Sequence, residues 1–224
     1  MKLSARSFFK SEVIMSNLLY IKASPMGELS FSIAVADAFI DAYLQIHPDD
    51  NVKTIDIFKM KLPPFDFKAA SAKYKIMHNK EHSQKDRRIW DQIVSIIDEF
   101  KSADKYVIAA PMWNFSIPYR LKHYIDIIVQ PGYTFTVDKN GNYEGLVKGK
   151  PIFVAYARGG EYPPGTAGEA FDLQKKYLEL ILGFMGLTDV RSLIVGPTLA
   201  KGKDVTEQKR TEAIEKARQI AKEF

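Results

Sequence analysis

Three short segments of this 224-residue chain hold side chains that could do chemistry, and each follows a run that reads as a β-strand. The first is ASPMGELSFS, residues 23–32, with Ser24 ahead of Ser30 and Ser32 at an expected helix start. A helix start presents free main-chain N–H groups and partial positive charge, so it attracts an anion. Hydroxyls add donors to such a cradle. The segment has neither the G-x-G-x-x-G of dinucleotide folds nor the lysine-bearing pattern of a P-loop. A cradle without lysine suits a monophosphate held in place rather than a triphosphate being cleaved. Ser30 as a plain N-cap explains the same residues without any ligand.

The second segment is APMWNFSIPYRLKHYID, residues 110–126, where a buried strand hands over to proline, methionine and aromatics instead of a polar turn. Met112, Trp113 and Phe115 could wall a planar ring system, and Asn114 could hydrogen-bond a heteroatom on its rim. Pro111 and Pro118 stiffen the loop. Core packing beneath the loop is the alternative. The third segment is ARGGEYPPGTAG, residues 157–168, in which Gly159 and Gly160 allow positive φ and close approach of the backbone to a ligand. Gly-Gly is common in turns, so its value lies in its position beside the other two loops. The histidines add little: His78 and His82 are four apart with no third ligand, and His123 reads as structural or interfacial. No metal site, nucleophile elbow or catalytic acid–base pair is expected.

These segments sit in an alternation of strand and helix. Strand-like runs fall at residues 17–21, 52–57, 105–110, 151–156 and 190–195. Helical spacing falls at 30–45, 87–100, 118–129, 171–182 and 204–222. The alternation implies an α/β fold, a five-stranded parallel sheet with helices on both faces. In the order 2-1-3-4-5 the sheet reverses between the first and third strands, and ligands bind beyond the carboxyl ends there. Two insertions are expected to be irregular, 59–85 and 133–146, the latter with an Asn-Gly that suggests a small hairpin. Residues 15–224 read as one domain and residues 1–14 as a tail outside the fold. The chain has no cysteine, which excludes disulfides, thiol nucleophiles and iron–sulfur ligation and fits the cytoplasm. A net charge of +5 raises nucleic acid as a partner, but the basic residues at 79–88 and 207–218 are interleaved with acids, so none is expected. No apolar run is long enough to span a bilayer.

PMWNFSIPYRLKHYID is followed in order by GYTF, GLVKGK, ARGG and YLELILGFMGLTDV. With these five stretches the chain, from about Met15 onward, resembles the FMN-dependent NADH azoreductases, also called NADH:quinone oxidoreductases, of flavodoxin-like fold. The resemblance implies a three-layer sandwich that binds FMN. Its phosphate would sit at Ser24 and at Ser30, Phe31 and Ser32. Its isoalloxazine would lie against Met112, Trp113, Asn114 and Phe115, with the pyrimidine end near Ala157, Arg158, Gly159 and Gly160. It implies a homodimer that takes two electrons from NADH or NADPH and passes them to quinones and azo compounds; donor and acceptor using one flavin face in turn would make the route ping-pong. Negative charge near N1 would be met by main-chain N–H groups of Gly159 and Gly160, with Arg158. Many relatives have tyrosine, glutamine and serine where this chain has Trp113, Phe31 and Ala157. Main-chain N–H groups still serve at the last two, whereas Trp113 alters the pocket wall. Two other readings are a one-electron carrier, which the positive charge disfavours because such carriers are generally acidic, and a flavodoxin-like domain that binds a partner without catalysis.

Overall fold

The computed structural model describes residues 15–199 and 202–224, so the expected tail, residues 1–14, lies outside the described residues. Five strands, β1 (Asn17–Lys22), β2 (Asn51–Asp56), β3 (Lys105–Pro111), β6 (Ile152–Ala157) and β7 (Val190–Val195), form one sheet in the order β2-β1-β3-β6-β7. Every pairing in it is parallel. Numbered by these five strands alone, this is the expected 2-1-3-4-5. The remaining strands, β4 (Phe135–Val137) and β5 (Tyr143–Gly145), form the hairpin expected from Asn-Gly. Its loop is a type I turn, with the Gly141 N–H bonded to Asp138 O and Gly141 at φ 85°, a conformation that glycine adopts without strain.

The period-two alternation of each strand sends side chains to two separate cores. Leu18 and Tyr20 of β1, Val107 of β3 and Phe153 of β6 pack under α1 (Phe31–Ile46) and α6 (Lys203–Ala221). Leu19, Ile21, Ile108 and Val154 face the other way. They meet α3 (Gln84–Ser102), α4 (Tyr119–Ile128) and α5 (Leu173–Met185) through Trp90, Ile93, Tyr124 and Leu178. Strand β6 is buried at all six positions, as a central strand covered on both faces must be.

Two elements depart from the expectation. Helix α3 begins three residues before the expected 87, because Ser83 and Asp86 form a reciprocal capping box. The insertion 59–85 is not irregular throughout: it holds α2 (Phe67–Met77). Asp66 starts that helix by accepting from the N–H groups of Lys68 and Ala69. Its buried side chains are only Ala69 and Ala72, too small to give an apolar period. Helix α4 pins the start of the insertion: Arg120 Nε donates to Ile57 O at 2.8 Å, its Nη2 donates to Met60 O, and His123 Nε2 bonds Pro63 O at 2.9 Å. His123 is therefore structural.

Candidate functional site

Sheet register brings the three loops together. Lys22 stands opposite Ala109, and Pro111 opposite Ala157, so the chain leaves β1, β3 and β6 side by side at one edge. Two bonds extend the sheet one residue further, Ala23 N–H to Ala109 O at 2.9 Å and Met112 N–H to Ala157 O at 2.7 Å. This edge includes the β1–β3 boundary, where the strand order reverses.

The loop after β1 folds its three serines under itself. Ser24, Ser30 and Ser32 are all buried. Ser30 caps α1, its Oγ accepting from the Ile33 N–H at 3.4 Å and lying 3.1 Å from Ser32 Oγ. Ser24 Oγ accepts from the Met26 N–H at 3.3 Å. The first N–H groups of the helix, on Phe31 and Ser32, have no intrahelical acceptor. The first turn carries no acidic residue. Hydroxyls, free N–H groups and the positive end of the helix dipole form a donor set suited to a phosphate, and the loop's one carboxylate, Glu28, is exposed in the turn before Ser30. The Arg210 guanidinium lies 5.9 Å from the centre of the Phe31 ring and is ion-paired to Glu207 at 3.6 Å.

The loop after β3 is a tight turn. Trp113 and Ser116 exchange two main-chain hydrogen bonds, of 2.8 and 3.0 Å. Between them Asn114 and Phe115 have φ of 46° and 68°. Positive φ at both central positions is the type I′ turn, normally made with Asn-Gly. Asparagine tolerates it, whereas a phenylalanine there costs about 1–2 kcal/mol. The strain is held by surrounding contacts: the Leu173 N–H donates to Phe115 O at 3.1 Å, and the Phe115 ring packs on Phe171 and Tyr162 at 4.9 and 6.2 Å. Trp113 leans on Phe58 and Tyr119, with centroids 5.7 and 6.3 Å away. Trp113 and Phe115 nevertheless remain 37% and 43% exposed, so they do not merely fill the core. Asn114 is exposed, and its amide makes no hydrogen bond among the described residues. Beyond the turn lies a cavity of about 400 Å³ lined by Trp113, Asn114, Ile117, Tyr119 and Tyr177.

The loop after β6 differs from expectation in its backbone. Neither Gly159 nor Gly160 has positive φ. A Cβ at either position would make a tight contact, 3.0 Å from Leu199 Cδ1 at Gly159 and 3.0 Å from the Tyr162 hydroxyl at Gly160, which those side chains would have to relieve by a small shift. The Gly159 and Gly160 N–H groups make no hydrogen bond among the described residues, whereas the Arg158 N–H is committed to Val195 O at 3.0 Å. The Arg158 side chain is buried and ion-paired to Asp172, Nη1 to Oδ2 at 2.9 Å. Losing either partner of such a pair costs about 3–5 kcal/mol. Tyr156, one residue before Ala157, has its phenol pushed far above the usual value by burial and then by the Glu179 carboxylate. It stays protonated and supplies no base.

The structure thus gathers all three loops, with Ser24, Ser30, Phe31, Ser32, Met112, Trp113, Asn114, Phe115, Ala157, Arg158, Gly159 and Gly160, at one edge. Sequence reasoning missed Asp172, Phe58, Phe171 and Tyr162, which shape the same loops. The Asp-Leu that opens a helical run signals a cap at Asp172, but nothing in the spacing points to its pairing with Arg158.

Residues 16–221 match a family described as flavodoxin-like fold. An FMN-dependent NADH:quinone oxidoreductase of Nitratidesulfovibrio vulgaris is 53% identical over 210 residues, covering 94% of this chain and all of its own. An azoreductase from Bacillus anthracis Sterne superposes with a TM-score of 0.86 at 27% identity, covering 94% of this chain and all of its own. An FMN-dependent NADH-azoreductase from Bacillus anthracis Ames Ancestor, solved in complex with FMN, gives 0.81 at 28% identity, covering 92% of this chain and all of its own. The chain belongs to the flavodoxin-like family of FMN-dependent NADH:quinone oxidoreductases and azoreductases.

Proposed function

We propose that the edge formed by the three loops holds FMN and that the enzyme uses it to carry two electrons at a time from NADH to quinones and azo compounds. The reading rests on the buried serines at the start of α1, whose first turn carries no acidic residue, standing beside a strained, half-exposed aromatic turn where the sheet order reverses. Bound FMN would supply two-electron transfer between a nicotinamide and an acceptor. Ser24, Ser30, Ser32 and the N–H of Phe31 bind its phosphate. Met112, Trp113 and Phe115 give the ring system an apolar wall, and Asn114 offers its amide to the ring's edge. The free N–H groups of Gly159 and Gly160, beside Ala157 and Arg158, are placed to meet negative charge on the pyrimidine end. No side chain of this set acts as acid or base, so product protons come from solvent.

Donor and acceptor are both planar and both would have to stack on the one open face of the flavin ring, so they would occupy it in turn, and the route is ping-pong. Cleaving an azo bond to two amines takes four electrons, hence two NADH. The names of the relatives support NADH as donor. A homodimer is part of this proposal, and its candidate face is a groove of about 690 Å³ between α4, α5 and the insertion, lined by Ile125, Val129, Tyr177 and Ile181 together with the charged Asp66, Lys73, Lys122 and Asp126. Among the described residues no helix is long and apolar enough to cross a membrane. The cysteine-free composition supports work in the cytoplasm. Mass spectrometry of the released cofactor tests the first step: FMN near one per chain supports it, and FAD alone or no flavin overturns it. Light scattering at working concentration tests the dimer.

A further inference from the structure

Three consecutive residues at the start of α5 each grip a different segment of the site edge. Asp172 uses Oδ1 to cap its own helix, accepting from the Lys175 N–H at 3.2 Å, and Oδ2 to accept from Arg158 Nη1 at 2.9 Å. The Leu173 N–H donates to Phe115 O at 3.1 Å. Gln174 Nε2 donates to Ala110 O, 64 residues away, at 2.9 Å. Ordinary helix initiation requires none of these three reaches. A cap needs one carboxylate oxygen, and the first N–H groups of a helix are normally left to water. Gln174 is fully buried, and its Oε1 has no partner among the described residues. An apolar side chain would fill that space without stranding an acceptor, so the bond to Ala110 O is what the amide contributes there.

We propose that Asp172 and Gln174 are positioning residues: the first turn of α5 fixes the loop after β3 against the loop after β6, and so sets the fit of the flavin. The link to the flavin rests on the proposed function; the clamp itself rests on the bonds alone. The two loops are joined directly by Met112 N–H to Ala157 O, at the limit of sheet pairing. Beyond that point residues 171–173 and Tyr162 connect Phe115 with Arg158 among the described residues. Phe115 is also the residue at φ 68°, a conformation that persists only where its surroundings over-determine it.

The test compares Gln174→Leu and Asp172→Asn with Ile93→Val, a change in the α3 core away from the loops, all in the full chain. Amide exchange is followed by mass spectrometry on the flavin-free proteins. Expected is exchange at least about tenfold faster in residues 112–116 and 158–160 for both clamp variants, and unchanged there for Ile93→Val. With FMN added, its Kd rises about tenfold, or 1.4 kcal/mol, and the visible circular dichroism of the bound flavin changes. Exchange in those segments no faster than in Ile93→Val overturns the clamp. Faster exchange with unaltered Kd and dichroism overturns the positioning role. Where Asp172→Asn fails to fold, Gln174→Leu decides alone. If the unmodified chain binds no FMN while the exchange pattern holds, the proposed function fails and the clamp stands.

Discussion

Asn114→Gly separates what the turn after β3 does for the fold from what it does for the ligand. Asn114 sits at φ 46° between the paired main-chain bonds of Trp113 and Ser116. Glycine keeps that backbone without strain and leaves both bonds in place. It gives up about 0.5–1 kcal/mol through the freer unfolded chain, partly offset by its ease at positive φ. The amide has no partner among the described residues, so no protein hydrogen bond is lost. The remaining loss falls on the ligand. A hydrogen bond removed in a dry site costs about 1–3 kcal/mol, which is about a 5- to 150-fold rise in the Kd for FMN. Asn114→Leu loses the same bond and adds about 1–2 kcal/mol of left-handed strain, so it lowers the flavin-free Tm as well. The assay is fluorescence titration of flavin-free protein with FMN, beside thermal melts without ligand. A Kd for Asn114→Gly within twofold of the unmodified chain refutes the contact. A Tm loss as large as that of Asn114→Leu refutes the turn geometry.

Ser30→Asp keeps a good N-cap and should leave the flavin-free Tm nearly unchanged. The new carboxylate repels a phosphate by roughly 4 kcal/mol per unit charge at about 4 Å and an effective dielectric of about 20, so FMN binding should fall more than a hundredfold by titration. The Asp86 carboxyl, held down to about 2 by the Ser83 N–H, the Lys75 ammonium and the Ser83 hydroxyl, stabilises the fold above the ordinary carboxylate range. That contribution disappears as pH falls through the lowered value. The Tm gap between the unmodified chain and Asp86→Asn should therefore be open near neutral pH and close from about pH 4 to 2. Because the family match begins at residue 16, a chain starting at Met15 should keep the Tm and FMN affinity of the full chain; a large drop in either contradicts residues 15–224 as the domain.

The sheet order and its five strands were legible because parallel strands buried on both faces are dense in apolar residues and alternate with helical spacing. Met112, Trp113 and Phe115 stood out because so much apolar surface in a loop needs a reason. The α2 helix was not legible, since alanine buries too little to mark a period. The Phe115 backbone was not legible either: nothing in its type suggests left-handed φ, which is imposed by Leu173, Phe171 and Tyr162 from a distant part of the chain. The Arg158–Asp172 pair fell outside sequence reasoning for the same reason, its partners being brought together only by the return of α5 over the sheet.

In the proposed function one site takes electrons from NADH, holds them on FMN and releases them later to an acceptor. Anaerobic stopped-flow mixing of the FMN-loaded protein with NADH alone tests it most directly. NADH should bleach the flavin absorbance without any acceptor present, at a rate equal to or above steady-state turnover with a quinone. Bleaching that needs a quinone, or that runs slower than turnover, would contradict sequential use of the site and would require donor and acceptor to be bound together.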